Sequence, residues 1–542
     1  MIDRTLRSQM RYGGCDLNRP FRRPLPKGAR SGIDVAPDFA EPSRDPLPLY
    51  GIACEGALVS KRLRTVCVVA AAAIGLAAPA AYAVSYTGGV NTRASVSPSN
   101  GDPNGTSQRP RISANGCHVT YQSAANNLVP NDNNFKGLDV FLSSRASCAD
   151  PTSRWLVKRV SVKAGKSSGD VGSDPNGEST FTDVSGDGRY VTFQSLATDL
   201  VAGTTTGSGN VFVRDMSTGL TRLVSHAAGG GRADGYSTRP TISQDGRFVT
   251  YNSKAANLAP GVTHRGDVYV WDRAGDTNRR VTVADNGGNP NGESLHAEIS
   301  YDGTYIAFQS QASNLVASDT NGKTDVFRVG NPFLGVSTNI VRASVSTTGG
   351  NANQNSTRPT INGNGKYVAW ESTANNQVTG DTNGVLDVFV RNMATGRTTR
   401  VSVDQNGDQL TAASQRPDLD YVGDTVVFAA NARNVVAGDG NGQRDVFVRE
   451  YWETPSAAFN KRVSVAYGTE NGDAGGCPSG ATATSPTTVE PMARAGGEDL
   501  GSRPFMSADG RVVAFLAGFC NLVPNDNNFN TSLDDIFVRD YR

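Results

Sequence analysis

Acidic residues recur in short loops at fixed distances from one another, and that spacing is the first chemistry the chain offers. Asp319, Asn321, Gly322 and Asp325 form the pattern D-x-N-G-x-x-D. Asp381, Asn383 and Asp387 repeat it, as do Asp439, Asn441 and Asp445. Looser versions stand at Asp132, Asn133, Asn134 and Asp139, and at Asp526, Asn527, Asn528, Asp534 and Asp535. A hard cation such as calcium takes several oxygen ligands from a compact loop with a glycine at the sharp turn, so one reading is a set of calcium loops. In the other, Asp, Asn and Gly cap the turn into a strand and the last aspartate ties the loop back. The second is the commoner use of these residues and is preferred. Calcium is the one cofactor the sequence suggests.

Other chemistry is sparse. The four histidines, His118, His226, His264 and His296, share no metal-ligand spacing. A histidine-rich metallo-lyase site is therefore not expected. The chain has no G-x-S-x-G nucleophile elbow, and no catalytic constellation stands out, so the expectation is a protein that is not an enzyme. Trp271, Trp370 and Trp452 fall in or beside apolar stretches and read as core. A second recurring motif is S-x-R-P, at Ser107/Arg109/Pro110, Ser237/Arg239/Pro240, Ser356/Arg358/Pro359 and Ser414/Arg416/Pro417. At Ser502/Arg503/Pro504 it is one residue tighter.

These residues must be positioned by a repeat. Asp-Val-Phe occurs at Asp139–Phe141, Asp325–Phe327, Asp387–Phe389 and Asp445–Phe447, and in altered form at Asn210–Phe212, Asp267–Tyr269 and Asp535–Phe537. One full unit runs from residue 356 to 403. It contains four short β-branched or aromatic runs bounded by Gly, Asn or Asp, the signature of four hairpin-connected strands, here a to d. Strand d is expected at Arg159–Val162, Arg222–Ser225, Arg280–Val283, Arg342–Val345, Arg400–Val403 and Arg462–Val465. Its seventh copy, Arg93–Val96, precedes the first strand a, and the chain ends on a strand c. The N-terminal strand must then complete the last sheet, which closes a ring. The expectation is an all-β, seven-bladed β-propeller over residues 90–542, whose closure leaves only short protected edges.

Units of the form S-x-R-P-x-I-S-x-D-G-R-x-V-x-F, then D-V-F-V-R-D, then T-G-x-T-x-R-V-S-V, resemble the TolB-like, WD-repeat-like β-propeller family over roughly this span. The D-x-N-G-x-x-D loops are similar to the calcium loops of integrin-type propellers, except that Ala317 and Thr379 occupy the place of the first acidic ligand. Strand a lines the channel of a propeller, so the S-x-R-P arginines either ring a channel mouth, attracting an anion or a partner's carboxylate, or bridge neighbouring blades. Bridging is preferred, because a residue repeated in every blade usually serves the repeat interface. In such a blade Cys117 and Cys148 share one end of the first blade, and Cys477 and Cys520 the opposite end of the last. The expected disulfides are Cys117–Cys148 and Cys477–Cys520.

Composition bounds the remainder. Of 542 residues, 19% are charged and the net charge is +1, which speaks against nucleic-acid binding. Lys61, Arg62 and Arg64 precede an apolar run, Val66–Ala78, and the small-x-small site Ala81-Tyr82-Ala83, so residues 59–83 read as a signal peptide. Residues 1–58 read as a disordered extension or a start placed too far upstream. The expected protein is secreted or held in the periplasm or cell envelope, monomeric, and without a membrane span once processed. It would bind a protein or an envelope polymer on one propeller face. The alternative is a polysaccharide lyase or glycosidase working in the central channel, which needs a carboxylate pair or a basic cluster converging on the axis.

Overall fold

The computed structural model describes residues 88–133, 137–203, 208–263, 266–440, 443–454, 456–467, 503–518, 521–524 and 534–542. They form seven four-stranded antiparallel sheets. In the first blade the strands are Ser107–Ile112, His118–Ser123, Asp139–Arg145 and Trp155–Arg159, paired in that order. The seventh sheet is assembled from both ends of the chain: Val90–Arg93 lies beside Asp535–Asp540, with Val90 opposite Asp540 and Arg93 opposite Phe537. Strand a of each blade packs against strand a of the next, and the seventh returns to the first. The structure is a seven-bladed propeller closed by its N-terminal strand.

The recurring Phe of Asp-Val-Phe has a packing cause. In every blade it stacks on an aromatic residue of strand b, from Tyr121–Phe141 through Phe308–Phe327 to Phe515–Phe537, with ring centroids 5.6–6.2 Å apart. Aromatic and β-branched residues from adjacent blades fill the space between sheets. Trp271, Trp370 and Trp452 are buried there. The a–b turn glycines Gly188, Gly246 and Gly303 hold φ of 67–76°, a region costly for other residues.

Strand d differs from expectation. Its ladder ends at the arginine (Arg159, Arg342, Arg400, Arg462) rather than beginning there. The next residues leave the ladder because the serine two places on hydrogen-bonds strand c with its side chain: Ser161 Oγ accepts from Val140 N–H at 3.0 Å. In blade 2 the residue opposite Phe212 is Leu223, so Arg222 falls one place early. Cys117 and Cys148 are disulfide-bonded, with Cα atoms 5.4 Å apart. Cys477 and Cys520 lie outside the described residues, as do the proposed signal peptide, His264, Asn441 and Asp526. No helix among the described residues is long and apolar enough to cross a membrane.

Candidate anion-binding site on the propeller axis

The acidic loops converge on arginines. In blade 4, Arg342 Nη1 lies 3.3 Å from Asp319 Oδ1 and 3.5 Å from Asp325 Oδ2. Asn321 Nδ2 donates to Asp325 at 2.8 Å and Ser344 Oγ donates to its other oxygen at 2.7 Å. Blade 5 repeats the set: Arg400 is 3.1 Å from Asp381 and 3.9 Å from Asp387, and Asn383 and Ser402 both donate to Asp387. In blade 6, Arg462 is 3.3 Å from Asp439 and 3.7 Å from Asp445. In blade 1, Arg159 is 3.2 Å from Asp132 and 3.3 Å from Asp139. In blade 7, Arg93 is 3.5 Å from Asp535. Arg159 and Arg462 are wholly buried. Burial pushes the Asp325 and Asp387 carboxyls up, eased by the serine, asparagine and arginine around each. Among the described residues no group of three His, Cys, Asp or Glu side chains is placed to hold a metal ion.

The exception explains the rule. Blade 2 has Leu223 where the other blades have arginine, and Asn210 where they have aspartate. Blade 3 keeps Arg280 with Asp267, 3.7 Å apart, and meets the remaining guanidinium with Asn289. In blades 1, 4, 5 and 6 the loop acid stands 3.1–3.3 Å from the strand-d arginine, as a counter-ion does.

The axis is built differently. The third residue of strand a has positive φ in blades 1 to 6: Arg109 (55°), Phe181 (48°), Arg239 (53°), His296 (53°), Arg358 (50°) and Arg416 (58°). Such backbone costs about 1–3 kcal/mol per residue and persists only where its surroundings enforce it. The a–b register shifts at this point in each of these blades. The freed N–H is taken by the preceding blade. Phe181 N donates to Gln122, His296 N to Asn252, Arg358 N to Gln309 and Arg416 N to Glu371, at 2.8–3.2 Å. The inverted residues of six blades, together with Arg503 of the seventh, line one cavity of about 100 Å³. Because all seven blades contribute, this cavity lies on the propeller axis.

Five of its seven third-position residues are arginines. Arg109 and Arg239, from the blades on either side, both stack on Phe181 of blade 2, with their guanidinium carbons 3.9 and 4.6 Å from the ring centroid. Arg358 pairs with Glu371. Arg503 does bridge blades, donating to Pro359 O and Pro417 O at 3.3 and 3.2 Å. Burial pushes the His296 imidazole well below its ordinary value, and the charges of Arg239, Arg358 and Arg503 push it further. It is neutral near pH 7, and its Nδ1 is buried without a hydrogen-bond partner.

Two residues further along strand a, a second tier breaks the repeat: Arg111, Asp183, Thr241, Glu298, Thr360, Asp418 and Phe505. Arg111 donates to both oxygens of Glu298, at 3.2 and 2.8 Å, and Arg503 donates to one at 2.9 Å. Burial opposes ionisation of Glu298, but these two guanidinium groups outweigh it and hold the carboxyl below its usual range. Burial raises Asp183 to about 6, with Arg111 opposing. Here acids and a basic residue break the repeat at one spot, on the axis. The signal was in the sequence, as the unrepeated fifth position of strand a.

No family model matches the chain, and no curated protein does. It is similar to solved propeller structures at low identity. TolB from Acinetobacter baumannii is 14% identical with a TM-score of 0.34, covering 66% of this chain, which spans 65% of that TolB. Oligogalacturonate lyase from Vibrio parahaemolyticus is 11% identical with a TM-score of 0.43, over 83% of this chain and 97% of that one. The β-propeller domain of the Trilobed protease from Pyrococcus furiosus is 9% identical with a TM-score of 0.41, over 81% and 94%. Their activities differ from one another, and none is transferred to this chain.

Proposed function

We propose that this chain is an exported binding propeller that captures a carboxylate-bearing ligand in the axial arginine ring. One observation carries the reading: arginines from five blades line a single cavity. Guanidinium forks match carboxylates in geometry and strengthen in a partly desolvated site. The cavity is smaller than the usual pocket for a whole small molecule, about 300–1,000 Å³. It therefore takes one anionic group at a time, the end or side group of a larger protein or envelope polymer. The signal-peptide pattern of residues 59–83 supports the exported part of this reading. Calcium is not required, since the acidic loops already have guanidinium counter-ions.

The test is calorimetric titration with citrate, an acidic oligosaccharide and an acidic peptide, each beside a neutral counterpart. Only the anionic probes are expected to bind, more weakly as salt rises. Failure of every anionic probe to bind would overturn the reading, and the three arms separate polymer from protein.

A specific feature favours a second reading, lyase chemistry on a uronate. A basic cluster does converge on the axis, and His296 is a neutral imidazole within it. Arginines that neutralise a carboxylate acidify the adjacent C–H, a neutral histidine takes that proton, the C–H electron pair forms a C=C bond as the bond to the leaving sugar oxygen breaks, and that oxygen takes a proton from solvent. His296→Ala should then abolish formation of unsaturated product while ligand binding persists. No unsaturated product from wild-type protein would remove this reading.

A further inference from the structure

The second tier contains a side chain whose partners do not belong to its own blade or its neighbours. At the fifth position of strand a, short side chains tie one blade to the next. Asp183 accepts from Ile242 N at 2.9 Å, Asp418 accepts from Met506 N at 2.9 Å, and Thr241 accepts from Ile299 N at 3.3 Å. Glu298 occupies the same position in blade 4 with one methylene more than aspartate. Its carboxylate reaches across the axis to Arg111 of blade 1, in a two-pronged contact, and to Arg503 of blade 7. Glu298 and Arg111 also line both axial cavities, the arginine-ring chamber and the one beyond it that holds Asp183, Tyr301 and Asp418. The bridge therefore borders both chambers.

We infer that Glu298 is a built-in competitor: its carboxylate occupies the guanidinium pair formed by Arg503 of the ring and Arg111 of the second tier, and a ligand carboxylate must displace it to engage them. This rests on the anion-binding reading and adds its regulation. The occupied geometry also states the ligand chemistry, a carboxylate held by two converging guanidinium groups. Displacement joins the two chambers, so a ligand longer than one carboxylate group gains contacts only after the bridge opens.

The experiment is citrate titration of wild type, Glu298→Gln and Glu298→Asp. Glu298→Gln removes the charge at constant shape. Glu298→Asp keeps the charge but shortens the reach to that of Asp183 and Asp418. Both should bind citrate more tightly than wild type, by about tenfold, the worth of one charge-assisted contact no longer contested. Tightening by Glu298→Gln alone would mean simple removal of negative charge and would overturn the competitor role. Unchanged affinity in both, or loss of a cooperative melt in both, would make Glu298 a strut and overturn it as well. If no form of the protein binds citrate, the anion-binding reading falls with it, whereas wild-type binding that neither variant alters removes only the competitor.

Discussion

The rim and the axis of this propeller use the same side chains for different ends. At the rim of blades 1, 4, 5 and 6, an arginine of strand d meets two aspartates of its own blade, and a serine donates to the strand-c aspartate. On the axis, six arginines (109, 111, 239, 358, 416 and 503) face four carboxylates (Asp183, Glu298, Glu371 and Asp418). There a charge often finds its counterpart in another blade. Blade 2 shows what the rim set is for. It lost the arginine and the acids together and kept its fold, with Ser225 still accepting from Val211 N–H at 2.9 Å. A charge that repeats and is balanced within its repeat serves the repeat. Charges that converge from several blades on one cavity mark the site.

The largest effect should come from breaking a rim set. Arg462→Ala strands Asp439 and Asp445 without their buried counter-ion and should destabilise the protein by about 3–5 kcal/mol, read from chemical denaturation. Combining Arg462→Leu with Asp439→Thr and Asp445→Asn, the residue types blade 2 has at these places, should recover most of that loss. If the triple variant is no more stable than Arg462→Ala, the acids have a task other than neutralising the arginine.

A smaller effect concerns pH. In blades 2 and 3, Arg189–Asp215 and Arg247–Asp272 join the starts of strand b to the ends of strand c. Blade 6 places Asp424 and Glu450 there instead. Burial and the neighbouring Asp424 raise Glu450 to about 8, and both its oxygens are buried without hydrogen-bond partners. A carboxyl whose folded-state value is raised keeps its proton longer in the native state. It therefore penalises folding progressively as pH climbs from the ordinary glutamate range towards 8. Glu450→Gln should remove that penalty, so its melting temperature should exceed that of wild type at pH 8 and approach it at pH 5. Equal differences at both pH values would contradict the assignment. The smallest effect expected is none. Excess chelator and millimolar calcium should give the same melting temperature, because the loop acids already hold guanidinium groups; a calcium-dependent rise would restore the metal to the loops.

Much of the fold was legible because propellers repeat what packing requires. The Phe of Asp-Val-Phe, the turn glycines and the displaced N-terminal strand each recur or are missing for a mechanical reason. The strand-d boundary was misread because Arg-x-Ser looks like strand, whereas the serine side chain replaces the ladder. At the axis, repetition identified the arginines, yet it also favoured a bridging role for them. The positive φ that turns Arg109, Arg239, Arg358 and Arg416 into one cavity has no signature in residue type. Glu298 was invisible for the opposite reason, since a single glutamate in one blade departs from a pattern instead of forming one.

The central claim is that the rim holds the fold and the axis holds the ligand. It is tested most directly by measuring citrate affinity and melting temperature on the same samples of Arg109→Gln/Arg239→Gln and Arg462→Ala. The axial variant should lose tenfold or more in affinity, about 1.4 kcal/mol or greater, with its melting temperature near that of wild type. The rim variant should melt earlier and, below that transition, bind citrate as wild type does. An axial variant that binds normally, or a rim variant that loses binding while still folded, would contradict the account.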